Sequence, residues 1–311
     1  MLSLGGWPII EWVQAFLEHR LGPGARLELI APAGPFDVEA FERGVARLSR
    51  RYQVRYDTSI FTRRGYLAGD DVRRLQELRT ALTRKDTDAI LAARGGYGTT
   101  RILPLLAADE VRSQPKLLVG FSDITALHAL WAHARVGSLH GNMVAGLGRC
   151  DEPQFQRFCA ALEGRFPASF ENLEPVAPGV AEGVLLGGNL AVLTALIGTP
   201  HFPPLTDAVL FLEDTGEKPY RVDRMLTTWR SAGAFRGVRG VVLGAFTQAE
   251  PGPDGTTLAQ VLLDRLGDLG MPVLRGLPAG HVDDNHELPF GSLVRIDAGG
   301  GRLELQTGRI A

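Results

Sequence analysis

Short apolar runs alternate with amphipathic runs through the first half of this chain, and this alternation restricts the fold more than any other feature. The apolar runs have the length of β-strands and lie at 27–31, 54–56, 88–93 and 117–119. Segments with helical spacing follow them, at 38–51, 70–83, 101–107 and 125–134. Strands that alternate with helices predict a parallel sheet with helices on both faces.

The second half of the chain has a different organisation. Residues 164–183 contain several prolines and glycines, which is typical of a linker or crossover. Strand-like and helix-like runs follow, at 209–212, 220–231, 238–245, 257–266 and 294–297. We therefore predict an α/β protein whose C-terminal domain has a mixed sheet. The predicted divisions are a helical extension at 1–24 with its helix at 9–19, an α/β domain at 25–150, a linker or crossover at 151–183, and a C-terminal domain at 184–311.

Composition excludes several classes of protein. The 311 residues carry a formal net charge of −2, so nothing favours a nucleic-acid partner, whose footprint is a basic domain. The two cysteines, Cys150 and Cys159, predict reduced thiols rather than a disulfide framework. No apolar run has the length of a membrane span, and the N-terminus lacks the pattern of a secretion signal. We expect a cytoplasmic protein with no membrane partner.

The segment 117–127 has the layout of a nucleophile elbow. An apolar run ends at Gly120, Ser122 follows after one residue, and a helix-like run begins immediately afterwards. Such a turn exposes the serine, and the helix N-terminus directs free N–H groups and the positive end of its dipole at the reaction. The usual pattern ends in glycine, whereas this chain has Ile124. The same residues also fit a strand end with Ser122 as a helix N-cap.

A nucleophilic serine requires a base that takes its proton. Among the seven histidines, His281 follows a glycine turn and precedes a polar loop, where its ring is accessible. His140 lies at a strand end and His201 in a proline-rich loop. A histidine in a loop is often structural or merely exposed, so position alone does not select the base.

The base in turn requires a carboxylate that orients it. Glu213 directly follows an apolar strand, and functional sites of α/β proteins gather at the carboxyl ends of strands. Asp214 and Glu217 are neighbours that fit the same role. Alternatively, these acidic residues form a solvated turn with no catalytic role.

Two glycine-rich turns are candidates for backbone contacts with a ligand. Residues 94–98 close one strand, and the N–H groups of Gly96 and Asp123 form a natural pair of donors for an oxyanion. The same glycines also suit a phosphate, but the dinucleotide and Walker fingerprints are absent. The second turn, at 187–189, opens a helix and either lines the cleft or serves as a tight connection.

One short segment combines histidine and carboxylate side chains. His281, Asp283, Asp284 and His286 lie close together in sequence, and such ligands suit zinc or manganese. Their spacing matches no metal signature. We predict no metal and no other cofactor.

Taken together, six motifs resemble those of the LD-carboxypeptidase family of serine peptidases, whose relatives include the microcin C immunity peptidases. They follow the family's order, at 31–34, 93–98, 120–125, 187–190, 212–217, and 280–281 with 288–291. The resemblance extends from about residue 27 to the C-terminus. Six motifs in one order are far more specific than the elbow alone.

The resemblance implies a catalytic triad of Ser122, His281 and Glu213, in which the serine attacks and the glutamate orients the histidine. It also implies an oxyanion hole from the amides of Gly96 and Asp123. In the family's fold, a flavodoxin-like N-terminal domain holds the serine and a C-terminal domain holds the other two residues. The active site then lies in the cleft between the domains. The family is commonly dimeric, so we expect a homodimer.

Two positions depart from the family pattern. Asn142 stands where the family usually has proline, which relaxes a backbone restraint. Val282 stands where glycine often follows the catalytic histidine, and a β-branched residue there stiffens and crowds the loop. Neither departure removes a catalytic atom.

The resulting hypothesis is a serine carboxypeptidase that releases the terminal D-alanine from murein tetrapeptides in peptidoglycan recycling. The residues expected to contact this muropeptide substrate are Arg94, Gly95, Tyr97, Asn189 and Arg221. One alternative is a microcin-immunity-type peptidase that cleaves an amide in peptidyl or aminoacyl nucleotides, with Phe290 and Trp229 available to stack on the base. A second alternative is a non-catalytic ligand-binding protein of the same fold.

Overall fold

The computed structural model of the chain describes residues 20–306. The helix predicted at 9–19 lies outside the described residues, as does most of the extension expected at 1–24. The described part contains two β-sheets with helices packed on them, which confirms the predicted α/β class. None of the helices in this range combines the length and the apolar composition that crossing a bilayer requires.

The first sheet contains the parallel strands predicted from the alternation. Its strands are β1 (Arg26–Ile30), β2 (Gln53–Arg55), β3 (Ala89–Ala92), β4 (Leu117–Gly120), β5 (Ser138–His140) and β12 (Leu288–Phe290). Their order is β12-β5-β4-β3-β1-β2, and only the edge pair β12 and β5 is antiparallel. The helices of this half are α1 (Val38–Leu48), α2 (Asp71–Thr83), α3 (Thr99–Ile102), α4 (Ala108–Ser113), α5 (Thr125–Ala134), α6 (Val144–Leu147) and α7 (Glu152–Leu162).

The central strands of this sheet are apolar on both faces because helices cover both sides. Leu29 lies in a core that includes residues of α1, α6 and α7, whereas the next residue, Ile30, lies in a core with α2 and α5. Leu91 and Ile90 divide between the two cores in the same way. Successive strand residues point to opposite faces, so a strand buried on both reads as a continuous apolar run.

The second sheet is mixed, as predicted. Its eight strands are β6 (Ser169–Phe170), β7 (Glu174–Ala177), β8 (Val180–Asn189), β9 (Ala208–Thr215), β10 (Gly240–Thr247), β11 (Val273–Arg275), β13 (Leu293–Asp297) and β14 (Arg302–Leu305). Their order is β6-β14-β13-β8-β9-β10-β11-β7, with β8 to β11 parallel and the remaining pairs antiparallel. The helices α8 (Leu190–Leu196), α9 (Pro219–Ser231) and α10 (Leu258–Leu266) pack on one apolar face.

Two segments differ from their predictions. The helix predicted at 101–107 ends at Ile102 and continues only as a 3₁₀ turn, Leu103–Leu105, because Pro104 has no N–H to continue an α-helix. The stretch 151–183, expected to be a linker or crossover, contains α7, β6, β7 and the start of β8. Phe158 and Leu162 of α7 are buried in a core of the first sheet.

The two sheets are joined by more than the covalent chain. Strand β12 comes late in the sequence, yet it pairs with β5 of the first sheet, with Leu288 opposite His140. At the end of β8, the Asn189 N–H donates a hydrogen bond of 2.9 Å to Thr125 Oγ1 of α5. A Cβ atom on Gly188 would lie 2.4 Å from that same oxygen, so glycine is required for this contact.

Helix α1 provides a test of this packing, because it crosses α6 at a glycine. A Cβ atom on Gly44 would lie 2.1 Å from the backbone oxygen of Val144, which has no flexible end to move away. Alanine normally stabilises a helix relative to glycine, by about 0.5–1 kcal/mol. At this position we expect Gly44→Ala instead to lower the free energy of unfolding by about 1–3 kcal/mol. Urea denaturation of the purified variant measures this change.

Gly22→Ala is the matched control, since a Cβ at Gly22 would meet no atom within 4 Å. A Gly44→Ala protein as stable as the Gly22→Ala protein would contradict the close helix crossing.

Candidate active site

Ser122 lies in a strained turn at the end of β4. Its φ angle is +63°, in the left-handed region that non-glycine residues seldom occupy. The 3₁₀ turn Ser122–Ile124 leads directly into α5. Ile124, which replaces the usual glycine, is buried, and a Cβ on Gly120 would lie 2.9 Å from its Cγ1 atom. The turn therefore accommodates isoleucine at 124 because residue 120, two positions before the serine, is glycine.

Three side chains from separate parts of the chain form a hydrogen-bonded series at this turn. His281 Nε2 lies 3.1 Å from Ser122 Oγ, and His281 Nδ1 lies 2.7 Å from Glu213 Oε2. With the imidazole neutral and its proton on Nδ1, the ring donates to Glu213 and accepts from the serine hydroxyl. The serine comes from the first sheet, whereas Glu213 lies on β9 of the second sheet and His281 in the loop after β11.

The carboxylate of Glu213 is fully buried and needs hydrogen-bond partners there. Besides His281, it accepts a hydrogen bond of 3.2 Å from Asn189 Nδ2, which also lies 2.9 Å from Asp214 Oδ1. The Asn189 Oδ1 atom accepts from the Val192 N–H, which caps helix α8. Because its amide is used inside the protein, Asn189 supports the carboxylates here rather than presenting itself to a substrate.

The structure distinguishes among the three carboxylates that the sequence left open. Glu213 is the one that contacts His281, whereas Glu217 lies near exposed Arg221. Asp214 binds Asn189 and two backbone N–H groups, those of Ala191 and Thr215. Burial, together with the charge of Glu213, raises the pKa of Asp214 to about 6 despite these hydrogen bonds.

Opposing effects act on the imidazole of His281. Burial by itself lowers the pKa of this histidine, because the charged ring loses its hydration. The hydrogen bond from its ring to Glu213 and the charges of Glu213 and Asp214 outweigh burial and leave the pKa raised. The site therefore stabilises the imidazolium that a general base becomes when it takes a proton.

The loop that carries His281 is fixed by a buried asparagine and an ion-pair network. Gly280 has a φ of +118°, and its N–H donates a hydrogen bond of 2.8 Å to Asn285 Oδ1. Arg157 of α7 forms ion pairs with Asp284 at 2.6 Å and with buried Glu287 at 3.3 Å. The segment predicted to be a linker thus anchors the histidine loop.

The departures from the family pattern leave these contacts intact. Val282 is exposed at the surface, and its N–H donates a hydrogen bond of 3.0 Å to the carbonyl of Gly280. Asn142 precedes α6, with its Oδ1 atom 3.3 Å from the Cβ position of Gly146.

The glycine turn at 94–98 packs directly against the serine. A Cβ atom on Gly95 would lie 2.9 Å from Ser122 Cβ and 3.4 Å from the backbone nitrogen of Asp123. Gly96 follows with a φ of +110°. The two amides expected to form an oxyanion hole therefore belong to neighbouring segments.

Several supporting residues were missed by the sequence analysis. Arg74 of α2 is fully buried and donates from Nη1 to the carbonyls of Pro32 and, at 2.7 Å, Gly98. The sequence feature that could have identified Arg74 as buried is its position four residues before Leu78, on the buried face of the helix. Asn285 and Arg157 carry no comparable local signal.

The other expected binding residues are dispersed. Arg94 and Tyr97 are exposed beside the glycine turn, whereas Arg221 is exposed on α9, next to Tyr220 and Glu217. Phe290 and Trp229, the aromatic residues named as available to stack on a nucleotide base in the alternative function, are both buried and so are not free to stack.

The remaining histidine candidates do not contact the serine in this structure. His140 is completely buried, and burial lowers its pKa well below the ordinary value, whereas His201 lies in the loop after α8. Within residues 20–306, no group of three or more metal-ligating side chains is placed to hold an ion.

A serine, a histidine and a buried carboxylate in hydrogen-bonded series define the site of a serine hydrolase. Comparison with known families agrees with this class. The family model for the LD-carboxypeptidase N-terminal domain matches residues 27–141, and the family model for the LD-carboxypeptidase C-terminal domain matches residues 182–296. The chain belongs to the LD-carboxypeptidase family and is a serine-type carboxypeptidase.

Individual relatives cover nearly the whole chain. A putative carboxypeptidase of Streptomyces coelicolor is 40% identical over 92% of this chain and 94% of the relative. The probable murein peptide carboxypeptidase of Bacillus subtilis is 32% identical, with 89% of this chain and 90% of the relative covered.

Solved structures give the same fold. The muramoyltetrapeptide carboxypeptidase from Oxalobacter formigenes has a TM-score of 0.79 and 30% identity, over 90% of this chain and 98% of that one. MccF in complex with glutamyl sulfamoyl guanosine has a TM-score of 0.83 over 92% and 97%. Its identity is 22%, so this second likeness shows the shared fold alone.

Gly280 allows a direct test of the histidine–glutamate contact. A Cβ atom there would lie 2.7 Å from Glu213 Oε2 and would require a φ of +118° from an L-residue. We expect Gly280→Ala to lower kcat by about 100-fold, because displacement of a catalytic group by about 1 Å has this effect. The control is Gly276→Ala, which imposes a similar backbone strain, at φ +91°, in open space. Equal kcat values for the two variants would contradict the steric argument.

Replacement of Glu213 by glutamine tests its electrostatic role. The uncharged amide can donate to His281 Nδ1 and so favours the wrong tautomer, which we expect to lower kcat by about 10³–10⁴-fold. The unprotonated ring is the base, so kcat/KM rises with pH through the pKa of His281. Removal of the negative charge lowers that pKa, and the acidic limb of the residual activity therefore moves to lower pH.

Steady-state rates between pH 5 and pH 9 measure both effects, with Glu250→Gln at an exposed glutamate as the control. A Glu213→Gln limb that stays at the wild-type pH, or moves to higher pH, would refute the electrostatic role.

Proposed function

We propose that this carboxypeptidase hydrolyses the L,D-peptide bond of murein tetrapeptides and releases their terminal D-alanine. The observation that carries the proposal is the contact of His281 with both Ser122 and Glu213. The substrate class is supported by relatives whose names specify murein peptides or muramoyltetrapeptide. In a cell, such a reaction belongs to peptidoglycan recycling.

The proposed reaction begins at the serine hydroxyl. Ser122 Oγ attacks the carbonyl carbon of the L-residue while His281 Nε2 accepts the hydroxyl proton. The negative charge that forms on the carbonyl oxygen is stabilised by the N–H groups of Gly96 and Asp123. Glu213 remains ionised and holds the proton on His281 Nδ1.

The tetrahedral intermediate then loses D-alanine. His281 gives its proton to the leaving amine as the carbon–nitrogen bond breaks, which leaves an ester on Ser122. A water molecule attacks this ester, with His281 as the base again, and the serine is regenerated together with the tripeptide acid. The peptide, water, these side chains and the two backbone N–H groups account for every step of the proposed reaction.

The proposal also includes the cellular location of the enzyme and its oligomeric state. We place the reaction in the cytoplasm, where recycled muropeptides would meet the enzyme. We also infer a homodimer, which sedimentation of the purified chain would test.

Release of D-alanine from L-Ala-γ-D-Glu-meso-diaminopimelate-D-Ala tests the proposed function. We expect rapid release by the wild-type protein and a loss of about 10⁴-fold or more in Ser122→Ala, because the nucleophile is removed. Ser113→Ala, at an exposed serine, should retain wild-type activity.

Each contrary result leads to a definite conclusion. Release by Ser122→Ala at the wild-type rate would reject the mechanism. A wild-type protein that cleaves aminoacyl sulfamoyl nucleotides but not the tetrapeptide would replace the substrate with that of the microcin-immunity alternative. Failure to cleave either, with no labelling of Ser122 by a serine probe, would identify a non-catalytic binding protein.

A further inference from the structure

A cavity of about 530 Å³ opens beside the glycine turn of the active site. Three loops of the first sheet line it, and we call it the arginine–tyrosine groove after its side chains. The lining residues are Gly34, Pro35, Arg63, Tyr66, Arg94, Gly96 and Tyr97.

The groove adjoins the serine through consecutive backbone contacts. The Gly34 N–H donates a hydrogen bond of 3.0 Å to the carbonyl of Gly95, whose Cβ position lies 3.0 Å from Ser122 Oγ. The Cβ position of Gly34 lies 3.4 Å from the Tyr66 carbonyl, which brings the tyrosine loop to the same place. Gly96, a proposed oxyanion donor, is itself part of the wall. A peptide bound at the serine therefore has direct access to the groove.

Two cations of the groove have no anionic partner. Arg94 donates from Nη1 to the Pro35 carbonyl at 2.7 Å, and Arg63 donates from Nε to the Gly65 carbonyl at 3.4 Å. Across the described range 20–306, neither guanidinium forms an ion pair with a carboxylate. A guanidinium has five N–H donors, and its paired donors match the geometry of a carboxylate. Both arginines thus retain donors for an anion.

The aromatic side chains supply the other wall. The rings of Tyr66 and Tyr97 lie 5.9 Å apart between centroids, at an angle of 49°. They are 66% and 47% exposed, which is unusual for side chains that normally bury most of their area. Exposed aromatics next to unpaired arginines are the composition of binding surfaces rather than of ordinary protein surface.

We propose that the arginine–tyrosine groove binds a free carboxylate of the peptide substrate and thereby determines specificity. The inference rests on the proposed function, because a murein tetrapeptide offers several such groups. The γ-linked D-glutamate keeps its α-carboxylate, diaminopimelate keeps a side-chain carboxylate, and D-alanine bears the C-terminal one. Arg63 and Arg94 bind the carboxylate, and the tyrosines cover the adjoining apolar part of the peptide.

Replacement of the two arginines by glutamine tests this role. We expect Arg63→Gln and Arg94→Gln each to raise KM about tenfold, since a charge-assisted hydrogen bond is lost, with kcat within about twofold. Arg64→Gln is the matched control. This neighbouring arginine is also exposed but lines a different cavity, with Asp70 and Asp71. Thermal denaturation of all three variants shows whether any change in KM reflects a loss of folding.

Three modified tetrapeptides identify which carboxylate the groove binds. One has the D-glutamate α-carboxylate amidated, the second has lysine in place of diaminopimelate, and the third ends in D-alanine amide. For the substrate that lacks the recognised carboxylate, the wild-type protein should already show the high KM, and neither arginine variant should raise it further. If the arginine replacements raise KM on all three modified substrates as much as they do on the unmodified tetrapeptide, the groove does not bind a carboxylate and the assignment is overturned.

Binding to Ser122→Ala, measured by calorimetry, separates this inference from the proposed function. Normal hydrolysis with unchanged KM in both arginine variants would overturn the groove alone. An inert wild-type protein whose Ser122→Ala form still binds tetrapeptide through Arg63 and Arg94 would overturn the proposed function alone. No binding of tetrapeptide by Ser122→Ala would overturn both. Loss of aminoacyl sulfamoyl adenosine binding in the arginine variants, without loss of tetrapeptide binding, would reassign the groove to nucleotides.

Discussion

The hydrogen bond between His281 and the buried carboxylate of Glu213 is the interaction on which the rest of this site depends. A carboxylate with no exposure to water is costly unless hydrogen bonds replace its hydration. Glu213 finds them in the imidazole and in the amide of Asn189. The approach of the ring requires glycine at 280, because a Cβ atom there would lie 2.7 Å from the carboxylate oxygen that His281 contacts. The pair orients the base toward Ser122 and stabilises its protonated form with one contact.

Glu213 lies on the second sheet, His281 in the loop that leaves it after β11, and the nucleophile on the first sheet, so the chemistry depends on how the sheets are joined. A hydrogen bond of 3.1 Å across this boundary tolerates little relative movement. The structure meets this requirement at three places: the Asn189–Thr125 hydrogen bond beside the serine, strand β12 in the first sheet, and the ion pairs of Arg157 to the histidine loop. Each of the three involves a residue no more than seven positions from Ser122 or His281 in the sequence. The contacts that join the sheets therefore also align the side chains of the site.

This arrangement also explains what the sequence could predict. The strand, the turn at Ser122 and the following helix are contiguous, so periodicity and glycine placement reveal them, as they do most of the first sheet. The partner of His281 lies 68 residues away from it, and three carboxylates fitted the local pattern equally well. Only tertiary packing distinguishes Glu213 from Asp214, which faces backbone donors instead. Asn285 and strand β12 escaped prediction for the same reason, since their contacts are made by residues distant in sequence. The family resemblance supplied the pairing that the residues alone did not.

The two proposed oxyanion donors come from different segments, yet the side chain of one donor residue holds those segments together. The carboxylate of Asp123 is buried and accepts hydrogen bonds of 2.8 Å from both the N–H and the hydroxyl of Thr99, directly after the glycine turn. Arg74 also donates a hydrogen bond to the carbonyl of Gly98 in the same turn. An oxyanion hole is effective when its donors are fixed before charge develops, because no reorganisation is then needed during the reaction. In the proposed mechanism Asp123 therefore has two roles: its N–H stabilises the oxyanion, and its carboxylate binds Thr99 and so holds the glycine turn beside the serine.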